Sequence, residues 1–219
     1  MNSFIVGDIH GKIDLLSDLW KKIKPMLSKD DNLIFLGDYI DRGLHSFEVV
    51  EFLSVIGQNY PSFFLMGNHE VMLRNYLSGE DKTLYFANGG MATIKSYSAR
   101  FGSFSIPENH APVLFSEKYY YIGNDFIAVH AGFNPEKEKP DDSDVEEMVW
   151  IREKFYKSGR IWKKTIVFGH TQTQYMGSVS GSVFFDSAHN LIGIDTGAAY
   201  GEKLSCIIMP ERNVIQSDI

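Results

Sequence analysis

Five short apolar runs in this chain each stop at a glycine or valine followed by a side chain that can ligate a metal. They read Gly7-Asp8-Ile9-His10-Gly11, Gly37-Asp38-Tyr39-Ile40-Asp41-Arg42-Gly43, Gly67-Asn68-His69-Glu70, Val129-His130-Ala131-Gly132 and Gly169-His170-Thr171. Oxygen donors from Asp and Asn beside nitrogen donors from His, with no sulfur, suit Mn first, then Fe or Zn. Six candidate ligands, Asp8, His10, Asp38, Asn68, His130 and His170, are too many for one ion that must keep positions open for water and substrate. Two divalent ions roughly 3.5–4 Å apart and sharing a carboxylate fit better. A bridging Asp38 would hold both, with Asp8 and His10 on one ion and Asn68, His130 and His170 on the other. One Gly-Asp after a strand is ordinarily a turn, and one histidine is ordinarily structural. Five such coincidences at strand ends are not explained that way. His45, His110 and His189 fall outside these motifs and read as surface or hydrogen-bonded structural residues.

For residues this far apart in the chain to meet, their strands must share an edge. Ligands of open α/β sheets bind outside the carboxyl ends of the strands. Phe4–Val6, Asn32–Leu36 and Ser62–Met66 are apolar runs of strand length. Between them, Ile13, Leu16, Leu19, Trp20 and Ile23, then Phe47, Val49, Val50, Leu53 and Ile56, recur at helical spacing. This is a βαβαβ start with a largely parallel, buried sheet. Residues 70–118 read as a mainly helical insertion, broken at Gly89-Gly90 and Pro107. Strands resume at Tyr119–Ile122 and Phe126–His130, joined through Gly123-Asn124-Asp125. Thr165–Phe168, Val183–Phe185, Leu191–Ile194 and Leu204–Met209 read as later strands. Glu136–Asp144 reads as a solvated loop, and Ser143 with Glu146 as a capping box opening a helix toward Trp150. One domain spanning 1–219 is expected.

The bulk composition narrows the partners. A single cysteine, Cys206, leaves neither an internal disulfide nor a cysteine metal cluster. Lys and Arg number 21 against 28 Asp and Glu, a formal charge of −7. That balance argues against nucleic acid, whose backbone is bound by clustered basic residues. Bound cations would offset part of it. No apolar run approaches the ~20 residues that span a bilayer, so no membrane partner is expected. The first strand begins near Met1 and leaves no room for a signal peptide, so the expected location is cytoplasmic.

At the metal-ligand motifs the sequence resembles the phosphoprotein phosphatase family of calcineurin-like metallophosphoesterases. The first three motifs carry the resemblance, in order. Asn88-Gly89-Gly90, Trp150-Ile151-Arg152-Glu153 and Gly193-Ile194-Asp195-Thr196-Gly197 look like those of small bacterial and bacteriophage members. The resemblance implies an α/β fold, a β-sandwich flanked by helices in which the later strands form a second sheet. It implies that the six residues above are the metal ligands and that Arg42 and Arg152 grip phosphate. It makes His69 the acid that protonates the leaving group, oriented by Asp41, and a hydroxide bridging the two ions the nucleophile. For Arg152 the alternative is a salt-bridged residue on an amphipathic helix. Tyr200 either lines the substrate pocket or packs.

The implied activity is metal-dependent hydrolysis of phosphoserine or phosphothreonine in proteins, or of a small phosphoester. The alternative is hydrolysis of dinucleoside polyphosphates such as diadenosine tetraphosphate. Asp41 favours the first, because a phosphoanhydride has a good leaving group and needs less help from a His–Asp acid. Nucleases of the wider superfamily commonly end in Gly-His-x-His, whereas this chain reads Gly169-His170-Thr171-Gln172. A non-catalytic scaffold would have lost ligands or the acid, and none is lost here.

Overall fold

Neighbouring residues of the first strand are buried in different cores, and that two-sided burial sets the architecture. The computed structural model describes residues 1–218. Its strands are β1 (Ser3–Val6), β2 (Asn32–Phe35), β3 (Ser62–Phe64), β4 (Tyr120–Ile122) and β5 (Phe126–Val129). They continue as β6 (Thr165–Phe168), β7 (Phe184–Asp186), β8 (Leu191–Gly193), β9 (Ser205–Met209) and β10 (Asn213–Gln216). One sheet runs β10-β9-β1-β2-β3 and the other β4-β5-β6-β8-β7. The inner pairings β1–β2–β3 and β5–β6–β8 are parallel, while β9, β10, β4 and β7 pair antiparallel. Two mixed sheets therefore replace the single parallel sheet that apolar periodicity alone suggests, as the family resemblance implies.

Ile5, Ile34, Leu36 and Leu65 from the first sheet meet Ala128, Val167 and Ile192 from the second in a core between the sheets. Phe4, Val6, Leu33 and Phe35 point the other way, against helices α1 (Ile13–Ile23) and α2 (Ser46–Asn59). Ile127, Val129, Ile166 and Phe168 pack the outer face of the second sheet with Phe133, Phe155 and Trp162. Strands covered on both faces have no polar side, which is why they appear in the sequence as unbroken apolar runs.

Residues 68–114 are helical for most of their length: α3 (Asn68–Leu77), α4 (Lys82–Ala87), α5 (Gly90–Phe101) and α6 (Ala111–Leu114). The break between α4 and α5 falls at Asn88-Gly89, where Gly89 is left-handed at φ 95°. Then come α7 (Val145–Trp150) and α8 (Glu153–Tyr156). The capping box expected at Ser143 and Glu146 lies one residue later. Asp144 N donates to Glu147 Oε2 at 3.2 Å, while Ser143 Oγ accepts from Asn134 N at 3.0 Å and fixes the loop before the helix. The strand β10 is absent from the sequence reading: its burial is only intermediate or exposed, so it carries little apolar signal. Among the described residues no helix is long and apolar enough to cross a membrane.

Ile34→Ala empties space between the sheets and should lower the unfolding free energy by about 2–5 kcal/mol in urea denaturation. Val179→Ala, at a residue 79% exposed, should change it by less than about 0.5 kcal/mol. Equal effects would show that the sheets do not enclose the packed core.

Candidate active site

The carboxyl ends of β1, β2, β5 and β6 reach one edge, and there the chain leaves ordinary backbone geometry. His10, Asp38, Asp41, Arg42 and His170 have φ values of 49°, 53°, 69°, 64° and 62°. Left-handed backbone costs a non-glycine residue roughly 1–3 kcal/mol, and such outliers cluster where structure serves chemistry. The neighbouring glycines meet a different need. A Cβ on Gly67 would collide with the Asp38 carboxylate, and one on Gly169 with that of Asp8.

Asp38 stands at the centre. Its Oδ2 lies 3.4 Å from His10 Nε2 and 3.9 Å from His69 Nε2, and its Oδ1 lies 3.5 Å from His130 Nε2. Two clusters result, His10–Asp38–His69 and Asp38–His130–His170, each with its ligand atoms within 4.8 Å of one another. They share Asp38, which presents one oxygen to the histidine of each side. Asn68 belongs with the second, its Oδ1 3.0 Å from His130 Nε2, and His170 Nδ1 is 3.2 Å from the same nitrogen. Asp8 lies close enough to Asp38 for its charge to hold that carboxyl up. Both its oxygens accept from the His170 backbone N–H, at 3.2 and 3.0 Å, and it is in neither cluster. His69, expected as the acid, stands beside His10 and Asp38.

The ring tautomers say what these clusters lack. His10 Nδ1 donates to the Ile40 carbonyl at 2.9 Å, and His130 Nδ1 to that of Leu36 at 3.0 Å. Each therefore turns a bare Nε2 lone pair inward. Around His130 Nε2 the neighbours are the Asn68 and Asp38 oxygens, both acceptors, and His170 Nδ1. Among the described residues His69 Nε2 is buried with no hydrogen-bond partner. Around His10 the one donor is Arg42, whose Nη1 reaches His10 Nε2 at 2.8 Å. Electrostatics agree. Burial, then the Asp195 charge, holds the Asp8 carboxyl well above the usual range; burial, then Asp8 and Glu70, does the same to Asp38. Burial pushes His130 down to about 3 and holds His10, His69 and His170 well below the ordinary histidine value. Buried lone pairs and crowded carboxylates without a counter-charge are costly, and divalent cations would relieve them. The donor set fits two such ions.

His69 Nδ1 donates to Asp41 Oδ2 at 2.7 Å. Asp41 Oδ1 accepts from Thr93 Oγ1 at 2.6 Å and Tyr85 OH at 3.0 Å, so α4 and α5 hold the pair in place. Burial raises Asp41 to about 7 against those two hydrogen bonds. Arg152 occupies the break between α7 and α8 and donates to the His170 carbonyl at 2.9 Å and Thr171 Oγ1 at 3.1 Å. It faces the site edge rather than a surface carboxylate. The Arg42 guanidinium lies 5.5 Å from the Tyr200 ring centroid, so Tyr200 borders the site. His45 and His189 lie beside Glu48 and Asp186, and His110 is buried between Tyr97 and Glu51, away from both clusters.

Glu70 received no role from the sequence, although it closes the third motif. Its Oε2 accepts from Asp38 N at 2.8 Å and Gly67 N at 3.1 Å, and its Oε1 from Tyr39 N at 2.9 Å. One buried carboxylate thus fixes the turn that carries Asp38 to the turn that carries Asn68. Asp195 lies close enough to raise Asp8 and is itself pushed up to about 6 by burial. Adjacency to His69 and the Gly-Ile-Asp-Thr-Gly string were the available signals for these two. Thr93 and Tyr85 had none.

This geometry is that of a metallophosphoesterase. A model of the calcineurin-like phosphoesterase family matches residues 1–195, and the chain belongs to that family. It is a hydrolase of that class, and the family works with a two-metal centre. The asymmetrical bis(5'-nucleosyl)-tetraphosphatase PrpE of Bacillus cereus (strain Q1) is 27% identical, over 96% of this chain and 92% of its own. A solved structure described as a candidate diadenosine tetraphosphatase superposes at a TM-score of 0.67 with 23% identity, over 98% of this chain and 92% of that one. A serine/threonine phosphatase from Saccharomyces cerevisiae, similar to human phosphatase PP5, gives 0.62 with 16% identity, over 100% and 80%. These two structural likenesses concern the fold.

Metal-stripped protein titrated with Mn²⁺ in a calorimeter should saturate at two equivalents. Glu70→Gln should weaken that binding about 10–100-fold, the usual cost of removing a group that orients ligands. Saturation at one equivalent would remove Asp38 as a shared ligand, and unaltered affinity in Glu70→Gln would remove Glu70 as its support.

Proposed function

We propose that this chain hydrolyses dinucleoside polyphosphates, cleaving a phosphoanhydride bond between two nucleosides. The observation that carries the reading is the end-to-end match to a bis(5'-nucleosyl)-tetraphosphatase, over 96% of this chain and 92% of the relative. The sequence motifs placed phosphoserine and phosphothreonine first. That order is reversed here, because the presence of Asp41 speaks to the leaving group and not to what flanks it.

In this reading Asp8, His10 and Asp38 would hold one divalent ion, and Asp38, Asn68, His130 and His170 the other, with Mn²⁺ the first choice. When bound, the ions supply the Lewis acidity that makes water a competent nucleophile at neutral pH. The protein does the rest. Arg42 and Arg152 offer planar guanidinium groups to phosphate oxygens, a match that can be bidentate. His69 acts as the imidazolium: it gives its Nε2 proton to the departing oxygen, keeps its Nδ1–H on Asp41 so that the ring cannot turn, and takes a proton back from water. Tyr85 and Thr93 keep Asp41 aimed at His69.

A second reading, phosphomonoester hydrolysis on proteins, is favoured by that same buried His69–Asp41 pair, since a serine alkoxide leaves poorly without a proton. The two separate in one assay. With Mn²⁺ restored, kcat/KM on diadenosine tetraphosphate should exceed that on phosphoserine and phosphothreonine peptides by at least ~100-fold, a margin open to a site that binds the flanking group. A peptide preference would overturn the proposal. His69→Asn should slow phosphoserine hydrolysis by ~10²–10⁴-fold and dinucleotide hydrolysis less. Bound metal is measured on the same variant. Loss of an equivalent would make His69 a ligand instead of the acid.

A further inference from the structure

A cavity of about 410 Å³ is lined in part by Gly11 and Leu44, each within two residues of His10 or Arg42, and lies within the roughly 300–1,000 Å³ of small-molecule sites. Ile13, Leu15, Leu44 and Ala198 give it apolar walls, and Asp14 and Glu202 also line it. A cavity of equal volume between α2 and β3, lined by Ser54, Phe64 and Val113, shares no residue with the site. The first one adjoins it in the chain. Gly11 and Leu44 continue the segments that carry His10 and Arg42, and the two segments are tied by Gly43 N to His10 O at 3.1 Å and His45 N to Gly11 O at 3.2 Å. Ala198, Gly201 and Glu202 also line the cavity, and between them in the chain the Tyr200 ring lies 5.5 Å from the Arg42 guanidinium.

The chemistry of this cavity is not that of a phosphate site. Asp14 and Glu202 outnumber Lys12 there, so it repels an anion. Leu44, which lines it, is 75% exposed, and Tyr200, 60% exposed, stands in the chain between its lining residues Ala198 and Gly201. Flat rings with N–H donors suit that combination. Apolar walls take the ring faces, and carboxylates accept from ring amino groups. We propose that the cavity seats a nucleoside of the substrate while Arg42 holds the phosphate attached to it. The assignment rests on the dinucleoside polyphosphate reading and adds where one of its two nucleosides goes. Of that substrate's parts only the uncharged end fits here, and the phosphate chain is thereby directed from Arg42 across the metal clusters.

The test uses the Mn²⁺-loaded enzyme with adenosine 5'-monophosphate and inorganic phosphate as competing probes. In the wild type the nucleotide should bind at least ~10-fold more tightly than phosphate, the worth of about one buried ring edge. In Leu44→Glu, a change at an exposed side chain, that ratio should fall to within about threefold. A fold-independent readout accompanies it. Photolysis of 8-azidoadenosine 5'-monophosphate on the wild type should label residues 12–15, 44–45 or 198–202, and excess diadenosine tetraphosphate should protect them. A tight nucleotide whose ratio is unmoved in Leu44→Glu, or whose label falls elsewhere, would overturn the cavity and leave the dinucleotide reading intact. Nucleotide no tighter than phosphate, together with a preference for phosphopeptides, would overturn both.

Discussion

Everything at the site depends on Asp38 offering its two oxygens to two different sets of histidines. A single carboxylate can do so only if it is fixed from behind. Its backbone N–H is held by Glu70, its carbonyl accepts from the N–H groups of Ile9 and His10, and its Oδ1 takes the His69 N–H. The turns after β1, β2 and β3 are therefore mutually locked before any ion is considered. This lock explains why strands distant in sequence end at one point, and why left-handed backbone is tolerated there. Hydrogen bonds to an ionisable group in a dry interior are strong, and they hold a geometry that local propensity would not choose.

The ligand motifs were legible because strand, glycine and ligand are neighbours in sequence, so a local pattern reports a local structure. The convergence of five strand ends followed from the rule that such ends share an edge. What was not legible is what depends on distant contacts. Thr93 and Tyr85 support Asp41 from helices whose sequence shows only amphipathic spacing, and Glu70 acts through backbone groups that have no sequence signature. The capping box was misplaced by one residue because Ser143 and Asp144 are both good caps, and a tertiary bond to Asn134 decided between them. Likewise β10 pairs with β9 through its backbone, with side chains too exposed to announce it.

Catalytic chemistry and substrate identity reside in different parts of the molecule. Metals, arginines and a His–Asp pair describe how a phosphorus–oxygen bond is broken, and they are compatible with an ester or an anhydride. In the proposed assignment the flanking group is met by side chains outside the motifs, on the first turn of α1, the loop at Leu44 and the segment at Ala198–Glu202. Motif reading is therefore strong on reaction class and weak on substrate.

The left-handed residues carry a consequence for how this protein can change over time. At His10, Asp38, Asp41, Arg42 and His170 the backbone would relax if glycine stood there, and the buried polar groups would vanish with it. Relief of backbone strain would thus be set against the loss of buried hydrogen bonds such as His69 N–H to Asp38 Oδ1, since strained, charged sites trade stability against function.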